Sequence, residues 1–282
     1  MSFIDMVKEF FRWTSNREPE QFLGWQHLLT VGIFLGVAIF LAIYFGRKYR
    51  HSEKNKKLKV LKVAAILMVS LEVIKIVVIS IRNKDALSIL SMLPLFLCSM
   101  HLFSIPLAAF AKGKVQEAAL TFLYIFGIIS CLGGTVLASN YFGNSPILSF
   151  DLLISVTTHT ISGFASLYTI IVNLVEIKKG NILGCAIVLL VFELLAFGAN
   201  QANLSINNAT GKCYESNYMF LRTSAGTPFE ICNTIVGGNQ VLYTLFIALI
   251  YFAWMGLFLG GYYIVKAICN SAKKRKAAKE SK

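Results

Sequence analysis

The sequence predicts an all-α polytopic membrane protein with seven transmembrane helices, its N-terminus outside and its C-terminus in the cytoplasm. Of the 282 residues, 56% are apolar and 15% are charged, whereas soluble domains carry about 25% charged residues. The charges are crowded into short segments between long uncharged ones, a pattern typical of a multi-pass protein of the cell membrane. A large soluble helical core would need polar stripes on most helices, and few are present.

The net charge of +13 raises nucleic acid as a partner, but it fits loops held against an anionic leaflet better. The sequence has no helix-turn-helix, zinc knuckle or basic aromatic groove, so we expect no nucleic-acid partner. It has no HExxH, CxxC, Walker or GxGxxG motif, so we expect no metal and no cofactor. The first 24 residues lack the apolar core of a cleavable signal peptide.

Residues 1–24 are predicted to form an amphipathic segment that lies in the membrane interface. Apolar side chains recur at helical spacing, at Phe3, Met6, Val7, Phe10 and Trp13. Charged side chains fill the other side, at Asp5, Lys8, Glu9 and Arg12. A plain solvated N-terminus is the alternative.

The transmembrane domain is predicted over residues 25–269, and each of its apolar spans is near the about 20 residues that a bilayer needs. The spans lie at about 26–46, 59–81, 88–111, 117–138, 150–175, 182–203 and 241–268. Pro94 and Pro106 should bend the third span or free backbone carbonyls. Lysine and arginine favour the segments after the odd-numbered spans, which sets the orientation and places the basic tail, 270–282, in the cytoplasm.

One long outer loop is predicted, over residues 204–240. It holds Cys213 and Cys232, which could form a disulfide in an oxidising exterior or remain free thiols. Two glycosylation sequons, Asn203-Leu-Ser and Asn208-Ala-Thr, lie near its start.

Polar residues inside the spans point to one candidate site. Cys98 and His101 are three residues apart and would share one side of a helix. Four residues lie at one depth, roughly 13–16 Å below the outer helix ends: Glu72, Cys98, His159 and Glu193. Ionisable groups inside a span are costly and are functional candidates by default. Each also has a structural interpretation, since Glu72 can pair with Lys75 and a membrane cysteine can act as a small hydrophobe.

This set of residues favours acyl transfer. A thiolate at Cys98 would attack an acyl carbonyl, His159 would act as general base, and Glu72 and His101 would support them. A water-poor cavity favours transfer to a lipid over hydrolysis, so the chain is predicted to be a lipid acyltransferase or acyl-ester hydrolase whose partner is a membrane phospholipid or acyl lipid. Substrate contacts are expected from Glu193, Asn200, Gln201, Asn217 and Tyr218.

Two other functions stay open. In a transporter or solute-binding protein, Glu72, Glu193 and His159 would line a permeation path with Asn200 and Gln201, although no internal repeat is visible. A non-catalytic scaffold would use the same residues for folding only.

Several phrases resemble one family: Gly24-Trp-Gln-His-Leu28, Glu72-Val-Ile-Lys75, Leu93-Pro-Leu-Phe-Leu-Cys98, His159, Asn217-Tyr-Met219 and Gly238-Asn-Gln-Val-Leu-Tyr243. Their order is similar to that of the bacterial YwaF-type membrane family, whose vertebrate relatives are acyltransferases of ether lysophospholipids. The resemblance implies a Cys–His acyl-transfer centre with His159 as its histidine. The enzyme cysteine directly follows the span-3 proline, where this chain has Leu95, so Cys98 replaces it or the activity is absent.

Overall fold

The computed structural model describes residues 2–12, 18–138, 142–143, 145–214 and 216–280, without the side chains of Ala86 and of residues 273–280. In this part of the chain the regular structure is helical throughout, so the all-α prediction is confirmed. The helices are α1 (Phe3–Phe10), α2 (Trp25–Tyr49), α3 (Lys54–Asn83), α4 (His101–Phe110), α5 (Gly113–Thr135), α6 (Phe150–Ile171), α7 (Lys179–Thr210), α8 (Glu230–Ile235) and α9 (Gln240–Glu280). Short 3₁₀ turns lie at Ala86–Ser91 and Tyr218–Phe220.

Five of the described helices are long and apolar enough to cross a membrane: α2, α3, α5, α7 and residues 240–272 of α9. The chain is therefore a multi-pass membrane protein, as predicted. The seven spans are not all reproduced, because α4 is too short and the serines, threonines and histidine of α6 lower its hydropathy. The orientation of the termini stays a prediction.

The third predicted span, 88–111, is not a continuous helix. A 3₁₀ turn ends at Ser91, residues 92–100 are irregular, and α4 begins only at His101. Pro94 has no N–H to donate and disfavours helical geometry at Leu93, which explains the break. The expectation that Cys98 and His101 share a helix face is therefore wrong, because Cys98 lies in the turn that precedes α4.

Helices α5 and α6 pack against each other at close range and run antiparallel. Three contacts between small and larger residues follow one another along the pair: Gly127 with Ser166, Cys131 with Gly163, and Gly134 with His159. At each contact a glycine on one helix faces a side chain of the other with no room for a β-carbon. We call this row of contacts the α5–α6 interface.

The N-terminal helix α1 is amphipathic, as its sequence predicts, and Ser2 and Asp5 form a capping box at its start. The Phe11 ring lies 5.0 Å from the Phe150 ring at the start of α6. Arg12 donates to the Ser145 hydroxyl at 2.7 Å. These contacts connect the N-terminal segment to the helices of the bundle. Trp13 lies outside the described residues. A position of the segment in the membrane interface stays a prediction.

The chain divides into two compact units, up to Met219 and from Phe220 onward. Within the second unit, the Tyr243 hydroxyl on α9 donates to the Phe220 carbonyl at 2.9 Å. Within the predicted outer loop, 204–240, the structure places the end of α7 at Thr210 and the short helix α8. The extent of that loop outside the membrane stays a prediction.

Candidate active site

Cys98 and His159 meet in the structure although 60 residues separate them in the sequence. The Cys98 thiol and the His159 imidazole lie close enough for their side chains to interact. Cys98 is half-buried in the turn before α4, and His159 is buried on α6. The structure thus joins the two residues that the sequence suggested as nucleophile and base.

The orientation of the His159 ring is fixed from within α6. Its Nδ1 lies 2.6 Å from the Ser155 carbonyl oxygen, one turn earlier. Because a carbonyl can only accept, Nδ1 carries the proton, and Nε2 is the nitrogen left for the thiol. This tautomer allows the imidazole to take a proton from Cys98.

The irregular segment that carries Cys98 is held by side chains from the end of α7 and the loop after it. The Tyr218 hydroxyl accepts from the Leu93 N–H at 3.1 Å and donates to the Leu90 carbonyl. Asn203 donates to the same Leu90 carbonyl at 2.7 Å. The Asn200 amide in turn bonds the backbone N–H and carbonyl of Tyr218 at 2.9 and 3.0 Å. Backbone groups released by the broken helix are thereby satisfied.

Glu72 does not orient the imidazole as expected. Its Oε1 lies 2.6 Å from Lys75 Nζ, and both side chains are largely buried. This ion pair corresponds to the structural interpretation of Glu72, and the Ser155 carbonyl occupies the orienting position instead. Lys75 lies close enough to His159 for the two charges to interact.

His101 is the first residue of α4. It is fully buried, its Nδ1 lies 3.3 Å from the Ser104 hydroxyl, and its ring meets Phe122 edge to face at 5.6 Å. It interacts electrostatically with His159. The placement suits a supporting residue better than a group that touches substrate.

A cavity of about 610 Å³ lies beside the segment that carries Cys98, although Cys98 and His159 themselves are not among its lining residues. Phe96 and Ser99, on either side of Cys98 in the sequence, belong to its wall. The other lining residues include the charged Glu72, Lys75, Asp85 and Asp151, the apolar Ile79, Met92 and Leu93, and the polar Asn83, Ser88, Ser91, Ser145, Cys213 and Tyr214. A site of this kind offers both apolar surface and a few placed charges.

Asp85 lies on the cavity wall outside the spanning helices. Its Oδ2 accepts from Lys212 Nζ and from the Tyr214 hydroxyl, each at 2.8 Å. These two hydrogen bonds, with a third from the Leu87 N–H, hold the pKa of Asp85 below its ordinary value. The contacts connect the segment after α7 to the start of the segment that carries Cys98.

The five residues expected to bind substrate do not line this cavity in the described part of the chain. Asn200 and Tyr218 are engaged in the backbone hydrogen bonds given above, Gln201 is exposed and Asn217 is half-buried. Glu193 is buried, and its Oε1 has no hydrogen-bond partner among the described residues. Their role as substrate contacts stays a prediction.

Cys213 is exposed and Cys232 is buried. Whether the two form a disulfide or remain free thiols stays a prediction.

Two contributors to the site were not singled out from the sequence. Ser155 lies four residues before His159, so helical spacing could have indicated it. Gly134 packs against the His159 ring from α5, and no local pattern marks it.

Comparison with known proteins places the chain in one family. The model of the TMEM164 family matches residues 22–259, a stretch that includes Cys98, His159 and the whole cavity wall. No curated protein and no solved structure matches the chain. The resemblance to the YwaF-type family is therefore wrong, since the match is to a different family and short apolar phrases recur readily among membrane helices. The chain belongs to the TMEM164 family.

Proposed function

We propose that the chain is a lipid acyltransferase whose nucleophile is Cys98 and whose general base is His159. The closeness of these two side chains carries the proposal, because a thiol beside an imidazole whose Nδ1 is bonded to the Ser155 carbonyl is what thioester chemistry needs. The cavity supports it by offering room for a substrate beside the segment that carries Cys98, where Phe96 and Ser99 form part of its wall.

In the first half-reaction His159 Nε2 accepts the thiol proton, and the Cys98 thiolate attacks the carbonyl carbon of an acyl ester. The tetrahedral intermediate collapses as the bond from the acyl carbon to the ester oxygen breaks. The leaving alcohol takes the proton from His159, and the acyl group remains on Cys98 as a thioester.

In the second half-reaction a hydroxyl of the acceptor attacks the thioester while His159 takes its proton. The carbon–sulfur bond breaks, a new ester forms, and the proton returns to Cys98. With water as acceptor the same steps give hydrolysis. Exclusion of water by a bound lipid would favour a lipid hydroxyl over water as the acceptor.

The cavity wall suits an amphiphilic substrate. Ile79, Met92 and Leu93 offer apolar contact, and Lys75 offers a positive charge close to His159. Glu72 pairs with Lys75 at 2.6 Å, so the wall offers an ion pair rather than a single charge to the polar part of an acyl lipid. A membrane phospholipid or another acyl lipid has both an apolar and a polar part.

The test uses the full chain in liposomes that contain a phospholipid labelled in its acyl chain and a lysophospholipid acceptor. Cys98→Ala should abolish label transfer, and His159→Ala should reduce it by about 10²–10⁴-fold, the usual contribution of a general base. Wild type quenched during turnover should carry label on Cys98 that neutral hydroxylamine removes.

Cys213→Ala is the matched control, because it removes the thiol on the cavity wall and leaves Cys98 in place. It should transfer label like wild type. Transfer that survives Cys98→Ala would overturn the proposal.

The structure gives the transporter alternative less support. A permeation path was expected to use Asn200 and Gln201, but the Asn200 amide bonds the Tyr218 backbone and Gln201 is exposed. Uptake into liposomes that depends on Glu72 and is indifferent to Cys98→Ala would favour transport.

A further inference from the structure

The imidazole of His159 lies directly on the backbone of α5 at Gly134. A β-carbon added to Gly134 would stand 1.7 Å from His159 Cδ2 and 2.2 Å from Nε2. Carbon atoms of side chains do not approach other heavy atoms closer than about 3 Å. No residue with a side chain fits at position 134 while the His159 ring stays where it is.

The conformation of Gly134 does not itself require glycine. The residue lies inside α5 and is absent from the described residues with positive φ. Glycine inside a helix destabilises it by about 0.5–1 kcal/mol relative to alanine. Its neighbour Gly133 has no atom within 4 Å of an added β-carbon. Of the two adjacent glycines, only Gly134 is explained by a contact, and that contact is the imidazole.

The ring has little freedom to move aside. Its Nδ1 is bonded to the Ser155 carbonyl at 2.6 Å, and the ring also interacts with the Cys98 side chain. To escape a methyl group at position 134 the ring would have to shift by more than about 1 Å or rotate, which would disturb at least one of these contacts. Misplacement of a reacting group by about 1 Å can reduce a rate 10²-fold.

We infer that Gly134 is a positioning residue of the Cys98–His159 centre. Its missing side chain provides the space in which the imidazole lies, with Nδ1 on α6 and Nε2 toward the thiol. The inference rests on the proposed function in one respect, that His159 activates the Cys98 thiol. The reactivity of that thiol can be measured without any acyl substrate.

The experiment compares Gly134→Ala with Gly133→Ala in the full chain in detergent micelles. Both variants add one methyl group to adjacent positions of α5, and only the first meets the ring. The readout is the alkylation rate of Cys98 by iodoacetamide at pH 6 and pH 9, followed by mass spectrometry of its peptide. An imidazole partner keeps a thiol reactive at the lower pH.

Gly134→Ala should lower the ratio of the pH 6 rate to the pH 9 rate about tenfold or more, as His159→Ala does, and Gly133→Ala should keep the wild-type ratio. A wild-type ratio in Gly134→Ala would overturn the inference. If wild type shows the same rate ratio as His159→Ala, the pairing of Cys98 with His159 is overturned, and with it the proposed function. The melting temperatures described below then test whether Gly134 still provides the space for the His159 ring.

Melting temperatures provide a second measurement that does not depend on the thiol. Gly134→Ala should lower the melting temperature in the wild-type background and have little effect in the His159→Ala background, where the ring is gone. If Gly134→Ala fails to fold, recovery of folding in Gly134→Ala/His159→Ala supports the inference. Equal damage in both backgrounds contradicts it.

Discussion

His159 and Cys98 lie in parts of the molecule that are built differently. His159 is on the α5–α6 interface, where two regular helices are packed so closely that glycines face side chains at Gly127, Gly134 and Gly163. Cys98 is in a segment without regular structure, whose backbone groups are bonded by side chains from elsewhere in the chain, chiefly Tyr218 and Asn203.

The difference indicates how each half of the centre would fail. A packed helix pair shares its contacts with the core, so damage there lowers the stability of the whole unit. A segment held by a few hydrogen bonds can open by itself and leave the bundle folded. His159 therefore belongs to the closely packed part of the protein, and Cys98 belongs to a segment that can open locally.

Overpacking the α5–α6 interface should have the largest effect on global stability. In Gly163→Ala the new β-carbon would lie 2.5 Å from Cys131 Sγ, and such overpacking costs about 1–3 kcal/mol. The melting temperature in detergent should fall, and adding Cys131→Ala should restore part of the loss. Gly133→Ala is the control. A wild-type melting temperature for Gly163→Ala would show that the interface is not tightly packed.

Loosening the Cys98 segment should have a smaller and local effect. Tyr218→Phe removes the hydroxyl that accepts from the Leu93 N–H, and a neutral hydrogen bond of this kind contributes about 1 kcal/mol. Hydrogen exchange measured by mass spectrometry should quicken several-fold over residues 90–100, with little change in melting temperature. Tyr214→Phe, which affects Asp85 instead, should leave exchange at Leu93 unchanged. A large fall in the melting temperature of Tyr218→Phe would contradict the expectation that the Cys98 segment opens locally.

The smallest effect is expected from the pH dependence of the Asp85 contacts. Hydrogen bonds from Lys212 and Tyr214 lower the pKa of Asp85 in the folded protein. The contacts are therefore fully stabilising above the ordinary aspartate pKa and are lost as the pH falls through the lowered value. Exchange over residues 210–214, corrected for intrinsic rates, should quicken toward pH 3, and Asp85→Asn should abolish that dependence. The effect is small because the pair is exposed.

Composition and charge spacing were sufficient to predict the helical membrane class, and depth counting brought Cys98 and His159 together as candidates. Both predictions depend on the length and hydropathy of single segments, which a sequence displays directly. The ion pair between Glu72 and Lys75 was predicted only as an alternative. Their spacing is visible in the sequence, but the direction in which α3 presents Glu72 is not.

The remaining features depend on contacts between distant segments. An apolar run through Pro94 has the composition of a span, and nothing in it shows that Tyr218 and Asn203 will bond the broken backbone. Gly134 has ordinary helical geometry, so its sequence environment does not reveal the ring that lies on it. Both the anchoring of the Cys98 segment and the space at Gly134 depend on which distant segments meet in the fold, and a single sequence does not show that.

The bond from Asn203 to Leu90 has a consequence for modification of the chain. Asn203 and Asn208 both begin glycosylation sequons, but Asn203 is fully buried and its amide nitrogen is committed to the Leu90 carbonyl. Asn208 is exposed at the end of α7. A glycan on Asn208 is compatible with the folded chain, whereas one on Asn203 would displace the bond to Leu90.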